Sequence, residues 1–337
     1  MSETFDELTV AAIQAAPVFL DRERTVEKAC ELISEAGTAG ADVVVFPEGF
    51  VPGHPLWYHF HGVSTDISRR LSTMLYENAV QVPGSITDQL GEAAADAGAL
   101  VVVGVCEREA GIVGTMYNSQ LFLSSSGKLL GKHQKLTPTL GERLVHARGR
   151  AEHFGTVETP YGPMSGMICS ENANPLAAYA LLSEYPRLHG MSWPSYFDGM
   201  TGAITDISRM YAQMSKAHVV SAAGVVSDRA KDLMELSDEA VDTVSANANT
   251  GGSVILGPGR ETLAGPLGTE EDILYADIQL EEMVPHKLAQ DYAGHYNRPD
   301  IFVFDQRQGN QLLTEQRTHN KKSSNEKEAD SEESSLE

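Results

Sequence analysis

The sequence predicts an α/β or α+β fold with covered sheets. Two observations carry this. Short apolar stretches recur along the chain with the length of strands. Helix-forming segments fall between several of them, while other strands follow one another directly. In order, LTVAAIQAA (8–16) opens as a strand, a helix covers 25–36, and ADVVVFPE (41–48) is a second strand, apolar without a break until Pro-Glu. A helix over 85–97 precedes the strands ALVVVGVCE (99–107), NSQLFLSS (118–125) and KLLGKHQKL (128–136). SGMICS (165–170) is bounded by the turn-like YGP, and Pro175 suits the first turn of the helix at 175–184. RLHGMSW (187–193), a helix over 204–216, HVVSAAG (218–224), GGSVILG (251–257) and DILYADI (272–278) complete the pattern.

Length and composition fit one domain. The chain has 337 residues, 42% of them hydrophobic, enough for a sizeable core. A net charge of −22 makes nucleic acid and anionic membrane poor partners. No apolar run is long enough to span a bilayer, and the N-terminus lacks a signal pattern. A cytoplasmic protein is the expectation. Cys30, Cys106 and Cys169 show neither C-x-x-C spacing nor a disulfide framework. Residues 1–313 read as a single domain; 314–337, polar, acidic and Ser-rich, read as a disordered tail.

Three segments carry chemistry. Cys169 ends an apolar strand and precedes a helix, where a helix N-terminus favours a thiolate. Glu48 ends the strand DVVVFPE, and Lys135 lies near the end of LLGKHQKL. Carboxylates at strand ends in α/β proteins often project into the site crevice. A thiol, a carboxylate and an ammonium so placed make a nucleophile, a base and an electrostatic stabiliser. Two segments look inserted: 54–81, rich in aromatics and carrying His54, Trp57, His59 and His61, and the charged, helix-like 227–247. The three histidines have no acidic or Cys partner at ligand spacing, which argues against a metal. His146, His189 and His218 are available as partners for a Cys–His site, but the Glu48 and Lys135 segments explain more. GPGRET lacks a dinucleotide loop's third glycine, and phosphate-loop and G-x-S-x-G motifs are absent.

Over residues 8–304 the chain resembles the nitrilase superfamily of carbon–nitrogen hydrolases. FPEGFVPGHP, KHQKLTPTLGERLVH and MICSENANPL are similar to the glutamate, lysine and cysteine motifs of that family. GGSVILGPGRETLAGP and DYAGHYNRPDIF resemble segments of its nitrilase branch. One departure stands out: Ser170 occupies the place where true nitrilases usually carry Trp, which bears on pocket shape and substrate choice.

The resemblance implies a four-layer αββα sandwich and hydrolysis of an organic nitrile to a carboxylic acid and ammonia, without metal or cofactor. Cys169 would be the nucleophile, Glu48 the acid and base, and Lys135 the stabiliser of charged intermediates. Glu142, matching a second family glutamate, would orient Lys135 or the substrate; an ion pair with Arg143 is the alternative. Ser170, Asn172, Trp193 and Trp57 are candidates for contact with substrate, although for Trp193 a place in the core rim is equally ordinary. Amidases and cyanide-converting enzymes share the same three residues, and an inactive filament-forming scaffold is the alternative outside catalysis. The two insertions and the apolar helix at 175 imply a homo-oligomer, a dimer or a spiral.

Overall fold

The computed structural model describes residues 6–306, so the segment 314–337 lies outside the described residues. Its strands are β1 (Glu7–Gln14), β2 (Val43–Val45), β3 (Val80–Gln81), β4 (Leu100–Arg108), β5 (Met116–Leu123), β6 (Leu129–Gln134), β7 (Val157–Thr159), β8 (Gly162–Ile168), β9 (Leu188–Trp193), β10 (His218–Ala223), β11 (Val254–Leu256), β12 (Thr262–Ala264) and β13 (Asp272–Gln279). The α-helices are α1 (Arg22–Thr38), α2 (Asp66–Asn78), α3 (Ser85–Ala97), α4 (Pro175–Leu182), α5 (Met200–Ser215), α6 (Asp228–Leu233), α7 (Asp238–Ser245) and α8 (Met283–Ala289).

The strands form two sheets. One runs β13-β1-β2-β4-β5-β6, with β3 added to β4; the other runs β12-β11-β10-β9-β8-β7. The unbroken apolar strands are explained by cover on both sides. Between the sheets lie Val10, Val43, Val45 and Val102 of the first against Met164, Leu188, Val220 and Ile255 of the second. The opposite face of the first sheet, with Ala11, Val44, Val101 and Leu121, packs on Val26, Ala29 and Ile33 of α1 and Leu90 and Ala94 of α3. The outer face of the second, with Met167, Met191 and Val219, packs on Ala178 and Leu181 of α4 and Ile204 and Tyr211 of α5. The layers are therefore α, β, β, α, as expected.

Polar groups tie the two sheets at their core. Gln120 Nε2 donates to Ser192 Oγ at 2.8 Å, and Ser192 Oγ donates to the Phe46 carbonyl at 2.7 Å. The Gln120 N–H and the Ser192 hydroxyl are thus paired across the interface, which helps fix how the sheets align.

Strands end earlier than the apolar runs suggest. Beyond Val45 the chain turns, and the Glu48 N–H donates to the Trp193 carbonyl at 2.9 Å, joining the two sheets at one end. Gly104 of β4 makes room for that turn: a Cβ there would sit 2.1 Å from the Pro47 carbonyl oxygen. Gly251 and Gly252, counted into a strand by the apolar pattern, have positive φ and precede β11.

The two insertions fold onto one another. The first holds a short 3-10 helix, Leu56–His59, and α2, whose N-cap Thr65 accepts the Ser68 N–H. Leu56, Trp57, Leu71 and Leu75 pack with Ala230, Met234 and Val244 of the second insertion, and Arg70 Nη2 donates to the Leu233 carbonyl at 2.9 Å. No helix among the described residues is long and apolar enough to cross a membrane.

Candidate active site

Glu48, Lys135 and Cys169 each lie just past a strand of the sandwich: β2, β6 and β8. The fold brings the first two into contact and sets Cys169 within electrostatic reach of both. Lys135 Nζ donates to Glu48 Oε1 at 2.6 Å and to Glu142 Oε2 at 2.7 Å. All three side chains are essentially removed from solvent. Asn118 of β5, which sequence reasoning missed, donates its Nδ2 to Glu48 Oε1 and to Glu142 Oε1, each at 2.7 Å. One carboxylate oxygen of Glu48, Oε2, is buried and has no partner within the described residues.

Glu142 is not an ion-pair partner of Arg143, whose Nε donates instead to the Pro138 carbonyl. Its carboxylate accepts the Thr139 N–H at 2.8 Å and faces His146 Nδ1 at 3.1 Å, besides Lys135 and Asn118. Burial raises the Glu142 pKa, but the Lys135 charge and the hydrogen bonds outweigh it and hold the group well below the ordinary value. Glu48 is likewise pushed up by burial and held below the ordinary value by Lys135 and His54. Lys135 loses to burial and gains more from the two carboxylates, so it stays an ammonium.

His54 is the second residue that the sequence reading did not place here. Its Nε2 lies 3.3 Å from Glu48 Oε1 and 3.9 Å from Glu142 Oε2. The signal was present, since GHP directly follows the Glu48 segment. Ligand atoms of Glu48, His54 and Glu142 lie within 4.8 Å of one another. The Lys135 ammonium already donates to both carboxylates, so the set fits an internal cation better than a metal ion.

Cys169 is 5% exposed and sits in left-handed backbone, φ 54°. A side chain at such a φ is strained and is held there by its surroundings. Asn172 Nδ2 donates to the Cys169 carbonyl at 2.9 Å, and Asn172 Oδ1 lies 2.9 Å from His189 Nε2. His189 Nδ1 lies 2.7 Å from Ser165 Oγ, and Ser165 Oγ lies 3.2 Å from Tyr211 OH. Burial pushes His189 well below the ordinary histidine value, so it is neutral. Because Asn172 spends its amide N–H on Cys169, His189 must donate from Nε2, which sets the tautomer along the chain.

The structure places the other candidate residues as follows. Asn172, expected at the substrate, is fully buried and spent on the Cys169 carbonyl and His189. Trp57 is fully buried against Phe19 and Tyr58 in the core between the insertions. Trp193 is fully buried too, with Nε1 donating to Ser221 Oγ at 2.8 Å. Both indoles lie in the core; for Trp193 the sequence had left a place in the core rim open. The helix-terminus thiolate is also not met. Cys169 opens a short 3-10 helix, Cys169–Ala173, and α4 starts only at Pro175. Burial and the Glu48 charge push its thiol up to about 12, against the lowering pull of Lys135. Ser170, by contrast, is exposed, with its Oγ 3.5 Å from Cys169 Sγ. The resting site thus holds a protonated thiol in the field of an ionised carboxylate.

Residues 9–287 match the family described as carbon-nitrogen hydrolase. The chain is 36% identical over 304 residues to Nitrilase 2 of an unknown prokaryotic organism, covering 89% of this chain and 93% of the relative. It is 37% identical to the aliphatic nitrilase of Sinorhizobium fredii (87% and 93% covered) and 32% to the arylacetonitrilase of Aspergillus niger (88% and 90%). Among solved structures, Saccharomyces cerevisiae Nit3, of the nitrilase superfamily, aligns with a TM-score of 0.66 at 19% identity, over 87% of this chain and 97% of that one. A Nesterenkonia amidase aligns with a TM-score of 0.62 at 16% identity, over 87% and 94%.

Proposed function

The chain belongs to the carbon–nitrogen hydrolase family, and from that premise we propose that it is a nitrilase, converting an organic nitrile and two waters to a carboxylic acid and ammonia. The observation that carries the reading is the buried Glu48–Lys135–Glu142 cluster with an unpartnered Glu48 oxygen and a protonated Cys169 in its field.

The Cys169 sulfur adds to the nitrile carbon. Its proton passes to Glu48 Oε2 and then to the nitrile nitrogen, giving a thioimidate. A first water adds to the thioimidate carbon; ammonia leaves with a proton relayed by Glu48, and a thioester remains. A second water, deprotonated by Glu48, attacks the thioester and releases the acid, and the proton returns to sulfur. Lys135 holds the negative charge of the tetrahedral intermediates, helped by a backbone N–H after Cys169. Glu142 and Asn118 orient Lys135 and Glu48. Ser170, exposed beside the sulfur, shapes the entrance and with it the choice of nitrile.

We place the protein in a reducing compartment, the cytoplasm, because the reaction needs Cys169 as a thiol and all three cysteines are free. We also propose that it works as a homo-oligomer, a dimer or a spiral. A groove of about 1080 Å³ runs along α4 and residues 292–304, lined by Leu176, Tyr179, Tyr296 and Phe302, and a second copy would cover it. Residues 314–337 are proposed to be dispensable for the reaction.

An ammonia-release assay over aliphatic, aryl and arylacetic nitriles, their amides and cyanide tests the function. Acid and ammonia from an organic nitrile are expected. Turnover of amides alone, or of cyanide alone, overturns the reading.

A further inference from the structure

We infer that His54 is a positioning residue that acts as the second cation of the site, balancing with Lys135 the charges of Glu48 and Glu142 so that the pocket is neutral before the reaction places negative charge on the substrate. The inference rests on the hydrolase reading and adds a residue that reading does not need.

The geometry comes first. Two carboxylates share one ammonium, Lys135, which leaves one negative charge unbalanced in a dry site. His54 Nε2 lies 3.3 Å from Glu48 Oε1 and 3.9 Å from Glu142 Oε2, on the two carboxylates that lack a second cation. The side chain is 9% exposed, and neither ring nitrogen has a hydrogen bond within the described residues. A buried imidazole without hydrogen bonds is costly unless charge attraction accounts for its place. Its backbone is pinned: the Gly53 N–H donates to the Gly49 carbonyl at 2.9 Å, Cys106 Sγ donates to the Gly53 carbonyl at 3.3 Å, and the Leu56 N–H donates to the His54 carbonyl at 2.8 Å. The ring is therefore held at the carboxylates by the same turn that carries Glu48.

Charge then follows. Burial pushes the imidazole down, but Glu48 and Glu142 outweigh it, and His54 is raised to about 9. The other histidines of the neighbourhood do not share the charge. His146, on the far side of Glu142, is lowered by burial despite the hydrogen bond to that carboxylate, and His59, next along the first insertion, is lowered by burial and by His54 itself. Glu48 and Glu142 are the carboxylates that face it; Lys135, bound to the same two carboxylates, and the Cys106 thiol, which donates to the Gly53 carbonyl, lie around them.

The consequence is chemical. Sulfur addition and both water additions pass through species with negative charge on nitrogen or oxygen. With His54 charged, that charge enters a neutral cluster. With His54 neutral or absent, it enters a cluster already at −1, and the Glu48 pKa rises because a cation beside it is lost. Both effects slow the anionic steps, and neither alters the Ser170 side, where substrate enters.

The test uses the full chain, labelled with ¹³C at the histidine ring, as wild type and as His54→Gln and His54→Asn. Eleven histidines give resolvable ring signals, and the one missing from either variant is His54. The expected result is a wild-type His54 signal that titrates near 9. A titration at or below the ordinary value of about 6.5 overturns the inference. Kinetics on an accepted nitrile give the second readout. Wild-type kcat should fall as pH rises through the His54 titration. The variants should lose that limb, show an acid limb moved to higher pH, and have kcat at neutral pH lower by about tenfold with KM little changed, the size of a one-unit pKa change. Variants with wild-type kcat and an unmoved profile overturn it, as does a loss confined to KM. If wild type hydrolyses no nitrile, the nitrilase reading fails, while the ring titration still decides whether His54 carries the charge.

Discussion

The Glu171 carboxylate accepts the backbone N–H of Leu136 at 3.0 Å, and its other oxygen accepts the N–H of Ile168 at 2.6 Å. Leu136 follows Lys135 and Ile168 precedes Cys169, so one side chain ties the lysine segment to the cysteine turn. His133 Nε2 donates to the same carboxylate at 2.5 Å. Glu171→Gln replaces one acceptor oxygen by a donor and leaves a buried N–H unpaired, a loss of about 1–3 kcal/mol. We expect a lower denaturation midpoint together with a lower kcat, because Cys169 and Lys135 lose their common anchor. Urea titration and ammonia release check the two effects, and a destabilised variant with full kcat would separate Glu171 from site geometry.

Cys169→Ala is expected to abolish ammonia release while the fold survives, since the side chain is small and its removal leaves a minor gap. Cys30→Ala and Cys106→Ala should stay active. Because the free thiol is pushed up to about 12, Cys169 should also react slowly with iodoacetamide at pH 8 compared with an ordinary thiol. Peptide mass spectrometry with a slowly hydrolysed nitrile should find the adduct on the Cys169 peptide. An active Cys169→Ala enzyme would remove the mechanism.

Lys135→Met deletes the charge that two buried carboxylates face. Losing one stabilising donor of this kind costs about 10²–10³ in rate. A variant that keeps more than about a tenth of wild-type turnover contradicts that role.

Glu142→Gln is the milder probe, and its pH dependence is informative. The folded-state pKa of Glu142 is depressed, so its contribution to stability is present above the unfolded value near 4.5 and is lost as pH falls through the folded value. The variant should therefore be less stable than wild type at pH 7, and the gap should narrow below pH of about 4.5. Denaturant titrations at neutral and acid pH measure it. A gap that does not change with pH would show that Glu142 is not ionised in the fold.

Much of this site was legible because Glu48 and Cys169 follow apolar strands and the segments around them and around Lys135 carry motifs that resemble a known family. What was not legible depends on chain convergence. Asn118 and Glu48 are 70 residues apart, and only the pairing of β5 with its neighbours puts the amide on both carboxylates. A hint existed: N-S-Q opens a strand covered on both sides, and polar residues buried there need partners. His54 was read with His59 and His61 as part of an aromatic insertion. In the fold, His61 is spent on the Met234 carbonyl and His59 stands edge-on to Tyr196, while His54 alone turns to Glu48. The buried placement of Asn172 and the two tryptophans was not legible for a common reason. Proximity in sequence to a nucleophile or to an insertion says nothing of which way a side chain turns.

Ser170 supports a prediction on substrate choice. Ser170 is exposed, with its hydroxyl 3.5 Å from the nucleophile. Ser170→Trp places a large ring at the entrance. Turnover of α-branched arylacetic nitriles should fall relative to unbranched aliphatic ones, by tenfold or more if the ring closes the space that branching needs, since a methylene-sized misfit alone is worth about 10–200-fold. Product chromatography also reads the acid-to-amide ratio. Equal losses on both substrate types would place the selectivity elsewhere.

Assembly is the final test. Helix α4 is apolar on more than one side: Ala178 and Leu181 face the second sheet, while Leu176 is 69% exposed at its start. Phe302 and Val303, 70% and 91% exposed, stand beside it, and Phe304 packs on Tyr179 with ring centroids 5.1 Å apart. A helix with two apolar sides is usually covered on both. Because α4 begins six residues after Cys169, a second copy seated on Leu176 and Phe302 would also brace the nucleophile turn. Leu176→Arg puts a charge in the middle of that contact without touching the core. We expect a smaller particle by light scattering and reduced ammonia release at equal chain concentration, with activity recovering as concentration rises. The insertions offer a second, different surface, and two unlike surfaces per subunit would extend the assembly into a spiral, visible by negative-stain microscopy. A wild-type monomer of 36.4 kDa with full activity would end the link between assembly and site geometry.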